Sequence, residues 1–333
     1  MDACLHVIKE AGARIEIGEK VYLRGNTAGI DPVRPCVSYH PFVKTKHPVM
    51  NVVIVRENEE DCYAGMEYQL SDTVMECLKI ITRLRSERIV RYAFEYALQH
   101  NRKKVTCFTK DNIMKMTDGL FHKIFDEIGA DYPSIEKEHW IVDIGAAKMA
   151  DTPEAFDMIV MPNLYGDILS DVAAQIAGSV GLAGSANIGS QCAMFEVIHR
   201  SAPRRANQNL ANPSGLLLGG VLMLVHLNQP DVAERVHNAW LCAMEDGIHT
   251  YDIFKEGASK QKVGTKEFGE AVAARLGKTP HTLKAVHYSA ASPKKESAAA
   301  LLGRVLDHGI EIVKTETLRS FDAATGYTLA QGQ

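Results

Sequence analysis

Several absences narrow what this chain does. It has no basic excess, since 37 Lys and Arg face 41 Asp and Glu for a formal charge of −4. Proteins that grip a phosphate backbone need clustered cations, so nucleic acid is not the expected partner. There is no long hydrophobic run: the most apolar stretch, Leu216 to Leu227, has 12 residues and contains Gly219, Gly220 and His226. Crossing a bilayer takes roughly 20, which argues against a membrane span. The first twenty residues carry Asp2, Glu10, Glu16 and Glu19, a pattern that fits neither a secretory leader nor an acid-poor transit peptide. No CxxC pair occurs among Cys4, Cys36, Cys62, Cys77, Cys107, Cys192 and Cys242. Scattered and odd in number, they argue against a zinc or dithiol centre and for a reducing compartment, the cytoplasm. Neither G-x-G-x-x-G nor G-x-x-x-x-G-K-[ST] is found, so the two common phosphate loops are missing.

What remains is a soluble-type composition, 46% apolar over 333 residues, enough for one large or two ordinary domains. Residues 3–12 read as a short helix ending before Gly12. Helical spacing recurs in Ile89, Val90, Ala93, Phe94, Ala97 and Leu98, and again in Leu120, Phe121, Ile124, Phe125 and Ile128. Between them Val105 to Thr109 is a β-rich pentad; Asn51 to Val55, His139 to Val142 and Met158 to Met161 are further short apolar runs, and Ile168 to Ile176 returns to helical periodicity. The alternation predicts an α/β fold. Residues 178–189 read as a glycine-rich hinge-like loop and 207–214 as a polar loop before an apolar helix from Leu216. Residues 288–300 read as a linker, with one helix and one strand expected over 301–325.

The sharpest chemical signal is Asn163-Leu164-Tyr165-Gly166-Asp167-Ile168-Leu169-Ser170-Asp171, which follows a strand and opens a helix. Asp167 and Asp171 are four apart, so two carboxylates stack on one helical face and repel unless a cation neutralises them. A hard divalent ion suits such a pair; the spacing equally allows one Asp to cap the helix while the other faces water. Arg56 ends an apolar strand, where a guanidinium can hold a carboxylate in bidentate fashion, or pair with the acidic run beside it. Lys110 and Asn112 follow another strand, in the position where α/β sheets collect their sites. Arg204 and Arg205, between His199 and Asn212, are suited to a phosphate monoester or simply to solvent.

Together these motifs carry a resemblance. Val55-Arg56-Glu57-Asn58-Glu59-Glu60-Asp61-Cys62-Tyr63-Ala64-Gly65, Lys110-Asp111-Asn112-Ile113-Met114-Lys115, Asn163 to Asp171 and Ser185-Ala186-Asn187-Ile188-Gly189 stand in one order and spacing across residues 33–280. The chain resembles the decarboxylating β-hydroxyacid dehydrogenases, the isocitrate/isopropylmalate dehydrogenase family, and within it the isocitrate branch. The resemblance implies a two-domain α/β fold with residues 31–177 as a small substrate and dimerisation domain. Residues 1–30 with 178–280 would form a large, incomplete cofactor-side domain, and 281–333 a linker and C-terminal appendage. It implies a homodimer, or a hetero-oligomer with a full-length relative. The activity implied is oxidation and decarboxylation of isocitrate to 2-oxoglutarate with Mg²⁺ or Mn²⁺, a step of the tricarboxylic acid cycle.

The resemblance also assigns roles. Arg34 and Arg56 would clamp substrate carboxylates, with Asn112 beside them. Asp167 and Asp171 would hold the metal together with Asp143 of the other subunit. Lys110, also from the other subunit, would act as acid/base at the hydroxyl, and Tyr63 would protonate the enolate. Asn187, His199 and Asn212 would border the adenosine, and Arg204 with Arg205, two cations where an acid would favour NAD, imply NADP.

At several points the sequence departs from that family. The N-terminal strand and its Gly-Asp-Gly-Ile-Gly-Pro turn have no counterpart. Between Ile30 and Val33 a segment of the family is missing that carries a strand, the loop over the nicotinamide ribose and the Ser, Asn and first Arg of the substrate grip. Arg200 and Asn207 replace glycines. Three readings follow: an NADP isocitrate dehydrogenase of reduced turnover, with homoisocitrate as the alternative substrate; a non-catalytic subunit donating Lys110, Asn112 and Asp143 to an intact partner; or a decayed chain that folds poorly.

Overall fold

The structure, a computed structural model, describes residues 2–12, 31–188, 193–198 and 206–289. Its centre is a seven-stranded sheet in the order β6-β5-β7-β2-β1-β8-β9. The strands are β1 (Asp31–Val37), β2 (Asn51–Arg56), β5 (Lys104–Thr109), β6 (Glu136–Ile141), β7 (Met158–Met161), β8 (Gly184–Ile188) and β9 (Ala193–Val197). A separate hairpin is formed by β3 (Glu67–Ser71) and β4 (Val74–Cys77). β6, β5, β7 and β2 run parallel, whereas β1, β8 and β9 pair antiparallel.

The parallel half has both faces covered, and its strands show it. Val53 and Val55 of β2 and Met158 and Val160 of β7 enter one core with α2 (Arg83–Gln99) and α3 (Thr117–Gly129). Their neighbours Val52, Ile54, Ile159 and Met161 enter the opposite core with α5 (Asn163–Ala177) and Met149 of α4 (Val142–Asp151). This is the period-2 alternation of a strand buried on both sides. A third core joins α1 (Asp2–Glu10), α6 (Ser214–His226), α7 (Pro230–Glu245) and α8 (Thr265–Ala273).

The predicted helices over 3–12, 89–98, 120–128 and 168–176 are α1, α2, α3 and α5. The predicted strands are present, but Val142 opens α4 rather than closing β6. The glycine-rich segment 178–189 is not a loop: after a single 3-10 turn, Val180–Leu182, it becomes β8, hydrogen-bonded on both sides by β1 and β9. Glycine there serves packing, since a Cβ on Gly184 would lie 2.5 Å from the Gly219 amide of α6. Tyr288 at the start of the expected linker packs on His237, with its hydroxyl 2.7 Å from Nδ1. The helix and strand expected over 301–325 lie outside the described residues, among which no helix is long and apolar enough to cross a membrane.

Candidate functional site

β2 and β7 run parallel with Arg56 opposite Met161, so the end of β2 abuts the start of α5 two residues later. Arg56 lies there, 4% exposed. Its Nε and Nη2 donate to Asn163 Oδ1 at 3.0 and 2.6 Å, and Nη1 donates to Asp167 Oδ1. The acidic run beside Arg56 turns elsewhere: Glu57 accepts from the Glu59 and Glu60 amides. A Cβ at Gly166 would overlap the Arg56 side chain, which accounts for the glycine in that motif.

Tyr63 reaches the same carboxylate from a different element. It sits on a 3-10 turn, Cys62–Ala64, set by Asp61, a non-glycine residue held at φ 67°. Such strain persists where surrounding contacts over-determine it. Buried Asp61 accepts from Cys62 N at 2.8 Å, Lys79 Nζ at 2.8 Å and Leu164 N at 3.0 Å, and so ties the turn to the first turn of α5. Tyr63 Oη then donates to Asp167 Oδ2 at 2.6 Å, with the Arg56 guanidinium 5.1 Å from its ring centre.

From β1, Arg34 completes the group, 6% exposed, donating to Ser170 Oγ and standing 4.0 Å from Asp167 Oδ1. Burial pushes Arg34 below the usual guanidinium range and neighbouring Arg56 adds to this, against the opposing pull of Asp167, Asp171 and Glu196. Burial also works against the charged form of Asp167, but Tyr63, Arg56 and Arg34 outweigh it and hold its carboxyl below the ordinary range. Arg34 Nε is buried with no hydrogen-bond partner. Two buried guanidiniums, one with a donor unfilled, form a cationic cluster whose charge complements a carboxylate.

Asp171 lies one turn beyond Asp167 on α5 and contributes to the field at Arg34. Neither aspartate caps the helix, whose N-cap is Pro162. Lys110 and Asp143 form a second group. Lys110 Nζ is 2.9 Å from Asp143 Oδ1 in the first turn of α4, and the Asp143 side chain is 68% exposed. Asn112 is exposed in the turn after β5. Fully buried Asp118 accepts from the Lys110 amide at 2.6 Å and from Tyr165 Oη at 3.0 Å. Lys79 Nζ, 3.3 Å from Asp118 and 2.8 Å from Asp61, links the two groups. Sequence reasoning gave no role to Ser170, although it lies inside the motif, and missed Lys79, Asp118 and Glu196, since only folding brings these three to the motifs.

On the expected cofactor side, buried Asn187 donates to Glu196 Oε1 at 2.9 Å. Asn212 donates to Asp252 Oδ2 at 3.0 Å and accepts from Ser214 N at 2.9 Å, ordering the entry to α6. Asn207 adopts φ 61°, a conformation asparagine tolerates better than most residues. His199, Arg200, Arg204 and Arg205 lie outside the described residues.

Comparison with known proteins identifies the class this fold and site define. The family described as isocitrate/isopropylmalate dehydrogenase matches residues 9–272, and this chain belongs to it. A second family, the C-terminal domain of bacterial isocitrate dehydrogenase, matches residues 273–333. The NADP isocitrate dehydrogenase of Rickettsia typhi is 48% identical over 343 residues, 89% of this chain and 71% of the relative. That of Thermus thermophilus is 43% identical over 258 residues, 76% and 50% of the two chains. The crystal structure of isocitrate dehydrogenase from Methylococcus capsulatus has a TM-score of 0.75 at 34% identity, over 82% of this chain and 94% of that one. The Rickettsia match runs over 343 residues although this chain has 333, so parts of the relative fall opposite gaps here.

Proposed function

We propose that this chain carries out the oxidative decarboxylation of isocitrate to 2-oxoglutarate with NADP, at low turnover when alone. The observation that carries this reading is the convergence of buried Arg34, buried Arg56 and Tyr63 on Asp167, with Arg34 Nε left unfilled. The Rickettsia and Thermus relatives are both named NADP isocitrate dehydrogenases, which favours isocitrate over homoisocitrate and an enzyme over a purely supporting subunit.

Asp167, Asp171 and a partner's copy of Asp143 would hold Mg²⁺ or Mn²⁺. An all-carboxylate set fits a hard cation, and Asp167 is already kept ionised. An ion held by these carboxylates would supply positive charge to offset the negative charge that builds on the substrate oxygens. NADP supplies the hydride acceptor. Arg34 and Arg56 hold the substrate carboxylates, Arg34 through its free Nε, with Asn112 at their edge. Lys110 of the partner protomer takes the hydroxyl proton as hydride leaves C2, and Tyr63 returns a proton to the carbon that lost CO2. The two proton transfers cancel. Asn187, held by Glu196 of β9, and Asn212, at the entry to α6, would border the adenosine with His199, and Arg204 and Arg205 would favour the 2′-phosphate of NADP.

A dimer agrees with the β3–β4 hairpin, which presents Tyr68, Leu70, Val74 and Met75 to solvent, each between 47% and 65% exposed. An apolar patch of this kind marks an interface. The six cysteines among the described residues are all free, which agrees with a cytoplasmic location.

The test is NADPH formation from isocitrate and Mn²⁺, measured for the chain alone and mixed with a full-length relative. The missing segment removes charge-assisted contacts of roughly 1.5 to 3 kcal/mol each, so the chain alone should turn over orders of magnitude slower than the relative. Ordinary turnover, about 1 to 10³ s⁻¹, would overturn the claim that the segment matters. No isocitrate binding in any form would overturn the reading.

A further inference from the structure

The proposed chemistry leaves one cluster of ligating side chains unused, on the far side of the Lys110 turn. Asp111 leaves the end of β5, His139 stands on neighbouring β6, and His122 faces them from α3. Asp111 Oδ2 lies 2.7 Å from His122 Nδ1 and 3.9 Å from His139 Nε2, and one ligand atom from each residue falls within 4.8 Å of the others. The imidazoles stack with centroids 3.5 Å apart and planes 14° from parallel. All three residues are half-buried, so the cluster keeps a face open to solvent.

We propose that Asp111, His122 and His139 bind one borderline transition-metal dication, of which Zn²⁺ is the type. Two imidazoles and a carboxylate with open positions suit zinc, cobalt or nickel. The all-oxygen set proposed for the catalytic ion suits magnesium or manganese instead, so the two sites differ in chemistry. The outer contacts also fit. The other nitrogen of His122, Nε2, faces Asp126 Oδ2 at 3.6 Å, as metal-bound histidines commonly face a carboxylate through their second nitrogen.

Binding requires both rings to swing out of their stack, about the soft Cβ–Cγ torsion, until the nitrogens stand about 2.0 to 2.1 Å from the ion. It also requires Thr109 Oγ1 to yield its 2.8 Å contact with His139 Nε2. The ion would then cross-link β6 and α3 to the turn that carries Lys110 and Asn112. This inference does not rest on the proposed catalytic activity.

The experiment takes the full chain, strips it with a chelator and titrates it with Co²⁺ as a coloured probe. One equivalent should bind with visible d–d absorption, be displaced by Zn²⁺ and be indifferent to excess Mg²⁺. His122→Gln, His139→Gln and Asp111→Asn should each weaken binding by about tenfold or more with unchanged circular dichroism. Hydrogen exchange in the wild-type chain should slow over 105–125 when Zn²⁺ is added, which keeps the proposal open to failure if a variant does not fold. Colour and affinity unchanged in the histidine variants would assign the ion to cysteines or surface groups and overturn the proposal. So would slowed exchange confined to other regions, or no binding, which would leave a proton as the only occupant of the Asp111–His122 pair.

Discussion

The two halves of the central sheet solve the same packing problem unequally. In the parallel half, β5, β7 and β2 are sealed on both faces behind the partly exposed edge strand β6, and Val55, Val105, Met158 and Ile159 have no exposed surface. In the antiparallel half a cavity of about 190 Å³ opens beside β1, lined by Cys36, Ala174, Ala177, Val221, His237 and Tyr288 among others. The parallel half is assembled from strand–helix units that each bring their own cover. The antiparallel half is assembled from distant segments: β1 pairs with β8, over 150 positions along the chain. The proposed substrate groups straddle the divide, Arg56 and Asp167 belonging to the sealed side and Arg34 to β1.

The largest contrast should come from removing an arginine on each side. Arg56→Ala deletes three hydrogen bonds and leaves Asn163 and Asp167 facing a void. The isocitrate-dependent rise in Tm should vanish, and stability should fall by about 2 kcal/mol, below the range for fully buried pairs because the Asp167 side chain is 35% exposed. Arg34→Ala also removes substrate binding, but Arg34 stands 4.0 Å from Asp167 where Arg56 is in close contact with it, so stability should fall less. Urea denaturation with and without isocitrate measures both. Equal stability losses would contradict the unequal packing of the two sides.

A second contrast is in pH. Glu57, at the end of β2, is pushed up by burial to about 7 from 4.5. The folded state therefore holds a proton that the unfolded state has released, and the contribution of Glu57 to stability is lost as pH rises from 4.5 through 7. His237, on the cavity, is pushed down by burial to about 4 from 6.5, so its contribution is lost as pH falls from 6.5 toward 4. The wild type carries both slopes, which oppose each other. Glu57→Gln should make stability climb more steeply between pH 4.5 and 6.5, and His237→Gln should make it climb less. Denaturant midpoints across that range measure the two slopes; identical slopes in both variants would refute the assignment.

The parallel half was also the legible half. The β-rich pentad Val105 to Thr109 and the apolar run Met158 to Met161 announce strands covered on both faces, and the helices between them have clear periodicity. β1 escaped because Pro32 and Pro35 interrupt it, and proline within a run argues against a strand. β8 escaped because Gly184, Ser185 and Ala186 are small for the sake of close contact with α6, and small residues imitate a loop. The β3–β4 hairpin has all its residues exposed, so no buried stripe marks it. In the site, Arg56, Tyr63 and Asp167 were legible as motif residues. Lys79 and Asp118, which join the turns bearing Tyr63 and Lys110, were not, because a buried ion pair between distant segments leaves no local pattern.

The smallest effect separates the halves most cleanly, because one substitution can be made in both. Ala93 on α2 is fully buried in the sealed core, while Ala177 at the end of α5 borders the cavity. Leucine is a good helix former, so helix propensity changes little at either position. At Ala93 the added carbons have no room, and overpacking should destabilise by about 1 to 3 kcal/mol. At Ala177 the side chain can enter open apolar space, and filling it should stabilise by about 0.5 to 1 kcal/mol. Urea midpoints for Ala93→Leu and Ala177→Leu give the comparison directly. If Ala177→Leu loses stability as Ala93→Leu does, the space beside β1 is closed in solution, and the two halves of the sheet are packed alike.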